Sequence, residues 1–328
     1  MENFWKMDIV LQELKNLSES QEFFKQYEYT YGTPYANVNL DYTRLELPEI
    51  KFGNAVFQSI QTINVDSSST NTNMTLITED GKKYVTEFLN RGSYGKIFKT
   101  TSPKGFVFKI MRSKDVGEYC NENAFVIEAF INSVLSCDDE RSKKLCPRFY
   151  GIYYEPFVFR SPVILHAKMD GILSSRTSPK IFGDMILQIS DTLRYLQEKY
   201  KFIHGDLKYN NIGYKKIGIN SYRFVLIDFG MSSLVYNNVD ITTNVLIKRG
   251  SKMNFPNSGD LALLLASLYP IFNSMQEKLK DLLIFPGEVV SMIEKYDPDS
   301  YETYYICYGC HNPQTTPENI IEFINKNI

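Results

Sequence analysis

Strand-like and helix-like segments occupy different parts of this chain, and their order limits the folds it can adopt. Between residues 83 and 166, short runs rich in β-branched and aromatic residues dominate, as in KYVTEFL, FVFKI and PVILHA. One helix-like stretch, residues 121–135, interrupts these runs. From residue 181 onward, apolar residues recur at helical spacing. Strands followed by helices predict an α+β protein with two lobes and a cleft between them.

Composition and charge exclude several classes of protein. The 328 residues are 43% hydrophobic and 23% charged, as in ordinary folded proteins. With 36 Lys+Arg and 38 Asp+Glu the formal charge is -2, so no overall attraction to nucleic acid or to an anionic membrane is expected. The longest apolar run, residues 261–272, is too short to span a bilayer and predicts a buried helix. Acidic residues interrupt the first apolar ones, unlike a secretory signal, so we expect an intracellular, cytoplasmic protein.

The five cysteines are irregularly spaced, which favours reduced thiols. Cys307, Cys310 and His311 match the spacing of a c-type haem attachment motif. No second ligand pair at zinc-site spacing accompanies them in the sequence. We therefore expect no cofactor at this motif.

A glycine-containing segment, LNRGSYGKIF at residues 89–98, follows the strand-like run KYVTEFL. Gly92 and Gly95 lack a Cβ, so the backbone there can approach phosphate oxygens with its N–H groups pointing inward. A simple hairpin turn with two glycines is the alternative interpretation.

Lys109 lies within the apolar strand-like run FVFKIM. Strand alternation puts Val107, Lys109 and Met111 on one face. A lysine in this setting needs an anionic partner, either a nucleotide phosphate or a carboxylate, unless it is on an edge strand and reaches water. Glu128 on the next predicted helix can supply the carboxylate, and Glu122 is its rival. The two glutamates would face different ways, so at most one points at Lys109.

Two polar motifs lie beyond the strand-rich part of the chain. FIHGDLKYNNIGY, residues 202–214, carries a histidine, an aspartate, a lysine and two asparagines between apolar residues, and Asp228-Phe229-Gly230 follows later. Together with the glycine segment, Lys109 and the helix glutamate, these motifs occur in the order found in the eukaryotic-type protein kinases. The chain resembles that family over roughly residues 83–270.

The resemblance implies a bilobal kinase-like fold with a β-rich N-lobe that carries one helix and a mainly helical C-lobe. It divides the chain into an accessory segment, residues 1–82, and a kinase domain, residues 83–328. Within that domain the N-lobe would span residues 83–167, and a reduced C-lobe would span residues 168–328.

The resemblance also implies Mg²⁺ and ATP in the cleft and transfer of the γ-phosphate to a serine or threonine hydroxyl of a protein substrate. Asp206 would accept or orient the hydroxyl proton, and Lys208, as in Ser/Thr rather than Tyr kinases, would steady the transferred group. Asn211 and Asp228 would hold Mg²⁺ through hard oxygen ligands.

The remaining implied roles concern the nucleotide. Lys109 would bind the α- and β-phosphates while Glu128 holds Lys109, and His204 would pack behind Phe229 without acting as an acid or base. The glycine-segment residues implied to contact the nucleotide are Leu89, Asn90, Arg91, Gly92, Ser93, Tyr94, Gly95, Lys96 and Ile97.

Several positions depart from the family pattern. The first loop glycine is Asn90, which tolerates left-handed backbone angles better than most residues. Gly205 stands where an arginine usually pairs with a phosphate on the activation loop, which implies activity independent of loop phosphorylation. Alanine at Ser232, Ser233, Thr242 and Thr243 is then expected to leave most activity intact.

The segment that docks a peptide substrate is also unusual. No Ala-Pro-Glu occurs between residues 230 and 260, and Asp260 begins a segment similar to the helix that anchors the C-lobe of casein-kinase-like members. Lys168–Gly171 is similar to the hinge of those kinases. A small-molecule phosphotransferase of kinase-like fold and a nucleotide-binding pseudokinase are the two alternatives. The abundance of Tyr, Asn, Ile and Lys indicates an AT-rich genome. Together with the divergent motifs, it makes the chain similar to kinases encoded by large DNA viruses.

Overall fold

The computed structural model combines a curled β-sheet with four helices in its described residues, which confirms the prediction of mixed α and β structure. The described residues are 52–60, 73–78, 81–91, 95–111, 121–154, 162–174, 179–236, 239–242, 259–268 and 316–327. The strands are β1 (Phe52–Ile60), β2 (Asn73–Thr78), β3 (Lys83–Arg91), β4 (Gly95–Ser102), β5 (Phe106–Met111), β6 (Phe149–Tyr154), β7 (Pro162–Ala167), β8 (Gly171–Ile172), β9 (Ile212–Gly218), β10 (Ser221–Leu226), β11 (Ser233–Tyr236) and β12 (Val239–Thr242). The helices are α1 (Asn121–Cys137), α2 (Pro179–Tyr200), α3 (Gly259–Leu268) and α4 (Pro317–Asn327), with 3₁₀ turns at Ser142–Lys144 and Tyr209–Asn211.

Seven of the described strands form a closed barrel in the order β1-β2-β3-β4-β5-β7-β6. Neighbouring strands are antiparallel except β1 and β6, which pair in parallel and close the barrel. The strand-like runs that the sequence analysis identified form β3 to β7. Strands β1 and β2 precede residue 83, so the barrel extends across the boundary at which the sequence analysis begins the kinase domain.

Strand β5 shows the predicted alternation of its two faces. Phe108 and Ile110 are 1% and 8% exposed and belong to the barrel core with Leu76, Phe98 and Leu165. Burying an apolar side chain of this size contributes about 2–3 kcal/mol. Lys109 lies between these core residues in the chain and therefore points away from the barrel interior, towards α1.

A second core forms around α2, whose buried residues recur three and four positions apart because one face of an amphipathic helix must be covered. These residues are Phe182, Met185, Ile186, Ile189, Leu193, Leu196 and Tyr200. Helix α3 is buried at every position, which confirms the core helix predicted for residues 261–272 over its described part, residues 261–268. Residues 269–272 lie outside the described ranges.

In the described part of the chain, none of the helices is long and apolar enough to cross a membrane. Cys146 is buried, and its Sγ lies 3.5 Å from the hydroxyl of Ser136. The haem-like motif at Cys307, Cys310 and His311 lies outside the described residues.

Candidate active site

Lys109 on β5 lies between two carboxylates that are far apart in the sequence. Its Nζ donates to Oε1 and Oε2 of Glu128 on α1, at 2.7 and 2.8 Å. It also donates to Oδ1 of Asp228, at 2.7 Å, in the segment after β10. Of the two glutamates that the sequence left open, Glu128 contacts the lysine, and the side chain of Glu122 lies outside the described residues.

Burial and charge act in opposite directions at this lysine. Burial disfavours the ammonium, but the carboxylates of Asp228 and Glu128 outweigh it and raise the pKa of Lys109, so the side chain stays charged. Burial likewise raises the pKa of Glu128 to about 7, although Lys109 opposes this shift. Burial acts to raise the pKa of Asp228, but the Lys109 ammonium outweighs it and holds that pKa below its usual range.

The three side chains differ in exposure. Those of Glu128 and Lys109 are 4% and 12% exposed, whereas that of Asp228 is 42% exposed. Asp228 therefore has carboxylate surface available to a further ligand. Its backbone φ of 65° lies in the left-handed region, which Asp tolerates better than most residues and which recurs at functional sites.

Asp206, Lys208 and Asn211 form a second polar group between α2 and β9. Lys208 Nζ lies 3.0 Å from Oδ1 of Asp206. Asn211 Nδ2 donates to the carbonyl oxygen of Asp206 at 2.8 Å and to its Oδ2 at 3.1 Å. Burial raises the pKa of Asp206, the Lys208 ammonium opposes that shift, and the negative charge of Asp228 adds to it. The two polar groups therefore interact electrostatically.

Hydrogen bonds to the backbone hold residues 203–206, the Asp206 segment, in place. The buried carboxylate of Asp260 on α3 accepts the backbone N–H groups of His204 and Gly205, at 2.8 and 3.0 Å. Ile203 and Ser233 exchange two backbone hydrogen bonds, at 2.9 and 2.8 Å. Gly205 has φ 77°, a conformation that glycine adopts without steric cost.

His204 packs against Phe229, as the resemblance implied. Both side chains are fully buried, and their ring centroids are 5.6 Å apart. One ring nitrogen of His204, Nε2, is 3.1 Å from the carbonyl oxygen of Ile227. This contact joins the Asp206 segment to the residue before Asp228.

The donor atoms present suit Mg²⁺. Asn211 donates through its Nδ2, which leaves its amide oxygen as a possible ligand, and Asp228 offers a partly exposed carboxylate. Mg²⁺ prefers such oxygen ligands, and it takes only one or two carboxylates from proteins when phosphates and water complete its shell. Among the described residues, no cluster of three or more His, Cys, Asp or Glu side chains suits a metal, and the pair Asn211 and Asp228 is too small to form one.

The glycine segment is described in part. Leu89, Asn90 and Arg91 end β3, and Gly95, Lys96 and Ile97 begin β4. Gly92, Ser93 and Tyr94 lie outside the described residues. A Cβ at Gly95 would lie 2.7 Å from the carbonyl oxygen of Ile110, so close packing of β4 on β5 also requires this glycine.

Two polar side chains lie near these groups although the sequence did not indicate them as site residues: Ser232, which the sequence indicates only as a loop residue, and His166. Ser232 is buried, and its hydroxyl donates to the carbonyl oxygen of His204 at 2.7 Å. His166 on β7 pairs with Val107, so it shares the β5 face of Lys109. Burial and the nearby Lys109 lower the pKa of His166 to about 3, and its Nδ1 is buried with no hydrogen-bond partner in the described part of the chain. In the sequence, the only signal for His166 was its position in the apolar strand-like run PVILHA.

Neither a comparison with models of known protein families nor a comparison with curated protein sequences gave a match to this chain.

Proposed function

We propose that this chain is an ATP-dependent serine/threonine protein kinase of bilobal fold. The observation that carries the proposal is the arrangement of six side chains in two interacting groups. Lys109 joins Glu128 to Asp228, and Asp206 contacts both Lys208 and Asn211. Phosphoryl transfer requires mainly positioned groups and neutralised charge, and this arrangement supplies both.

In the proposed reaction, the hydroxyl oxygen of a substrate serine or threonine attacks the γ-phosphorus of ATP. The bond between that phosphorus and the β,γ-bridging oxygen breaks, and ADP leaves with the electron pair. Asp206 takes the hydroxyl proton, and a raised pKa makes it a better proton acceptor than an ordinary carboxylate. Lys208, next to Asp206, stabilises the negative charge of the transferred group.

On the nucleotide side, the charged Lys109 binds the α- and β-phosphates, and Glu128 holds the ammonium in position. Asn211 and Asp228 are the residues that would hold Mg²⁺. When bound, the ion neutralises phosphate charge. The contact between Lys109 and Asp228 has to loosen when phosphates and the ion compete for these two groups.

The test is transfer of radiolabelled γ-phosphate from Mg-ATP to casein, to a basic protein and to a panel of small-molecule acceptors. Asp206→Asn and Lys109→Met are compared with the matched surface variants Asp184→Asn and Lys104→Met, whose wild-type residues are exposed. We expect label on protein serine and threonine in the wild type and both controls, and a loss of at least about 100-fold in the two site variants.

Other outcomes would overturn the proposal in different ways. Label on small molecules alone would identify a small-molecule phosphotransferase, a class against which Lys208 and the intact Asp228-Phe229-Gly230 argue. Nucleotide binding without any transfer would identify a pseudokinase that acts as a binding module.

A further inference from the structure

A surface cavity of about 480 Å³ opens between α2, β10, the 3₁₀ turn Ser142–Lys144 and α4. It shares no residue with the candidate active site. Its volume is in the range of about 300–1,000 Å³ that is typical of ligand-binding cavities. Its wall carries three cationic side chains from three different elements, Lys144, Arg194 and Arg223.

The charges around this cavity do not balance. Among the described lining residues, Asp191 is the one carboxylate, and it already pairs with Arg194 at 2.5 Å and with Arg141 at 2.9 Å. Within the described ranges, neither Lys144 nor Arg223 forms a salt bridge. The exposed Glu140 is near enough to Lys144 to interact with it electrostatically. An anion placed in the cavity would therefore meet two cations that form no salt bridge in the described part of the chain.

Strand pairing adds a further positive charge beside the cavity. Arg223 on β10 lies directly opposite Lys215 on β9. Like charges at such a cross-strand position repel each other unless an anion relieves the repulsion. The pair is thus a local electrostatic cost that a bound anion would remove.

The lining between the cations is apolar. Leu145, Leu187 and Ile321 are partly buried, and Phe224 is 2% exposed. A buried phenylalanine offers no ring face on which a nucleobase can stack, which argues against single-stranded nucleic acid. The surface is also concave, whereas a membrane-binding surface presents its apolar side chains outward into the lipid.

We infer that this cavity docks an acidic segment of a partner protein. Carboxylates of the segment face Lys144, Arg194 and Arg223, and an aliphatic side chain between them enters against Leu187 and Ile321. The surface is additional to the proposed kinase site and does not depend on it, because docking requires neither ATP nor Asp206.

The experiment measures fluorescence anisotropy of a labelled peptide, Glu-Glu-Leu-Asp-Glu-Leu-Glu, with the full chain and without nucleotide. The pocket variant is Lys144→Glu/Arg223→Glu. The matched control is Lys83→Glu/Lys104→Glu, which makes the same charge change at exposed barrel residues. Thermal unfolding of each variant verifies that it is folded.

We expect saturable binding that weakens at least about tenfold in the pocket variant and no more than about twofold in the control. Asp191→Asn removes the carboxylate and should tighten binding by roughly threefold. Raising NaCl from about 0.05 to about 0.3 M should weaken binding, because exposed charges are screened.

Four results would overturn the inference. The first is no saturable binding of the peptide to the wild type, and the second is an equal loss of binding in the two double variants. The third is equal binding of a peptide with lysine in place of each acidic residue. The fourth is tighter binding of a polythymidine oligonucleotide or of phosphatidylserine vesicles than of the acidic peptide. The vesicle comparison is needed because the β9–β10 hairpin tip exposes 98% of Ile219. Loss of phosphoryl transfer alone has no bearing on this binding readout.

Discussion

Nζ of Lys109 lies 2.7 Å from Oδ1 of Asp228, although the two residues are 119 positions apart in the chain. Lys109 belongs to the barrel, and Asp228 follows a strand of a separate three-stranded sheet. The contact therefore joins two parts of the fold with separate hydrophobic cores. Because Lys109 also binds Glu128, one ammonium organises two carboxylates, and its removal should affect both.

Replacing Lys109 by Met should lower the free energy of unfolding by about 3 kcal/mol, because it leaves the buried Glu128 carboxylate without its cation. The double variant Lys109→Met/Glu128→Gln should recover most of that stability but none of the phosphoryl transfer. Urea unfolding and the transfer assay measure the two effects, with Lys104→Met as the control. An unchanged unfolding free energy in Lys109→Met would contradict the ion pair.

Asp260→Asn should destabilise the protein by about 2–3 kcal/mol and reduce activity, because an amide cannot accept both backbone N–H groups with two oxygens as the carboxylate does. The activity falls because these bonds position the segment that carries Asp206. Urea unfolding and the transfer assay provide the measurements. Asp184→Asn, at an exposed position of α2, should change neither quantity, and a loss as large there would show that the effect is unspecific.

Ser232→Ala should lower the free energy of unfolding by about 1–3 kcal/mol, since it leaves the carbonyl oxygen of His204 without its buried donor. Activity at temperatures well below the melting transition should remain, because the hydroxyl serves packing rather than regulation. Differential scanning calorimetry and the transfer assay measure the two quantities, with the exposed Ser221→Ala as control. Mass spectrometry should find no phosphate on Ser232 of the folded protein, and its detection would refute this interpretation.

Stability should fall as the pH falls below about 6.5, in part because of His166. Burial and Lys109 lower its pKa in the folded protein to about 3 from the ordinary 6.5, so between these values the unfolded chain binds a proton that the folded chain does not. The contribution of His166 to the free energy of unfolding is therefore lost at up to about 1.4 kcal/mol for each pH unit by which the pH falls. His166→Gln should flatten this slope in urea unfolding between about pH 6.5 and about pH 5.2, a window above most carboxylate titrations. Equal slopes in both proteins would argue against a neutral, partly buried imidazole.

The glycine at position 205 shows how sequence and structure answer different questions. The resemblance to protein kinases suggests a regulatory interpretation, because an arginine that usually binds a loop phosphate in that family would stand there. In the structure Gly205 has φ 77° and its N–H is held by Asp260, so the backbone conformation is a second reason for glycine at this position. A dihedral angle cannot be read from residue identity alone.

Local patterns in the sequence predicted several of the helices and strands of this protein. Strand alternation predicted that Lys109 lies on the face opposite Phe108 and Ile110. Helical spacing predicted α1 and α2, and the apolar run predicted the buried helix α3. These features follow from periodicities of two and of 3.6 residues, which the chain carries wherever it folds.

Tertiary structure alone decided which distant groups meet. It put Asp228 on the ammonium of Lys109 and directed the carboxylate of Asp260 to the backbone of His204. For Glu128 and Lys109 it formed the contact that the resemblance had implied. It also made β1 and β2 part of the barrel, across the boundary drawn at residue 83. Such contacts depend on the closure of the barrel and on the packing of α3 against the Asp206 segment. The free energy that stabilises them comes from residues far apart in the chain, so no local sequence spacing predicts them.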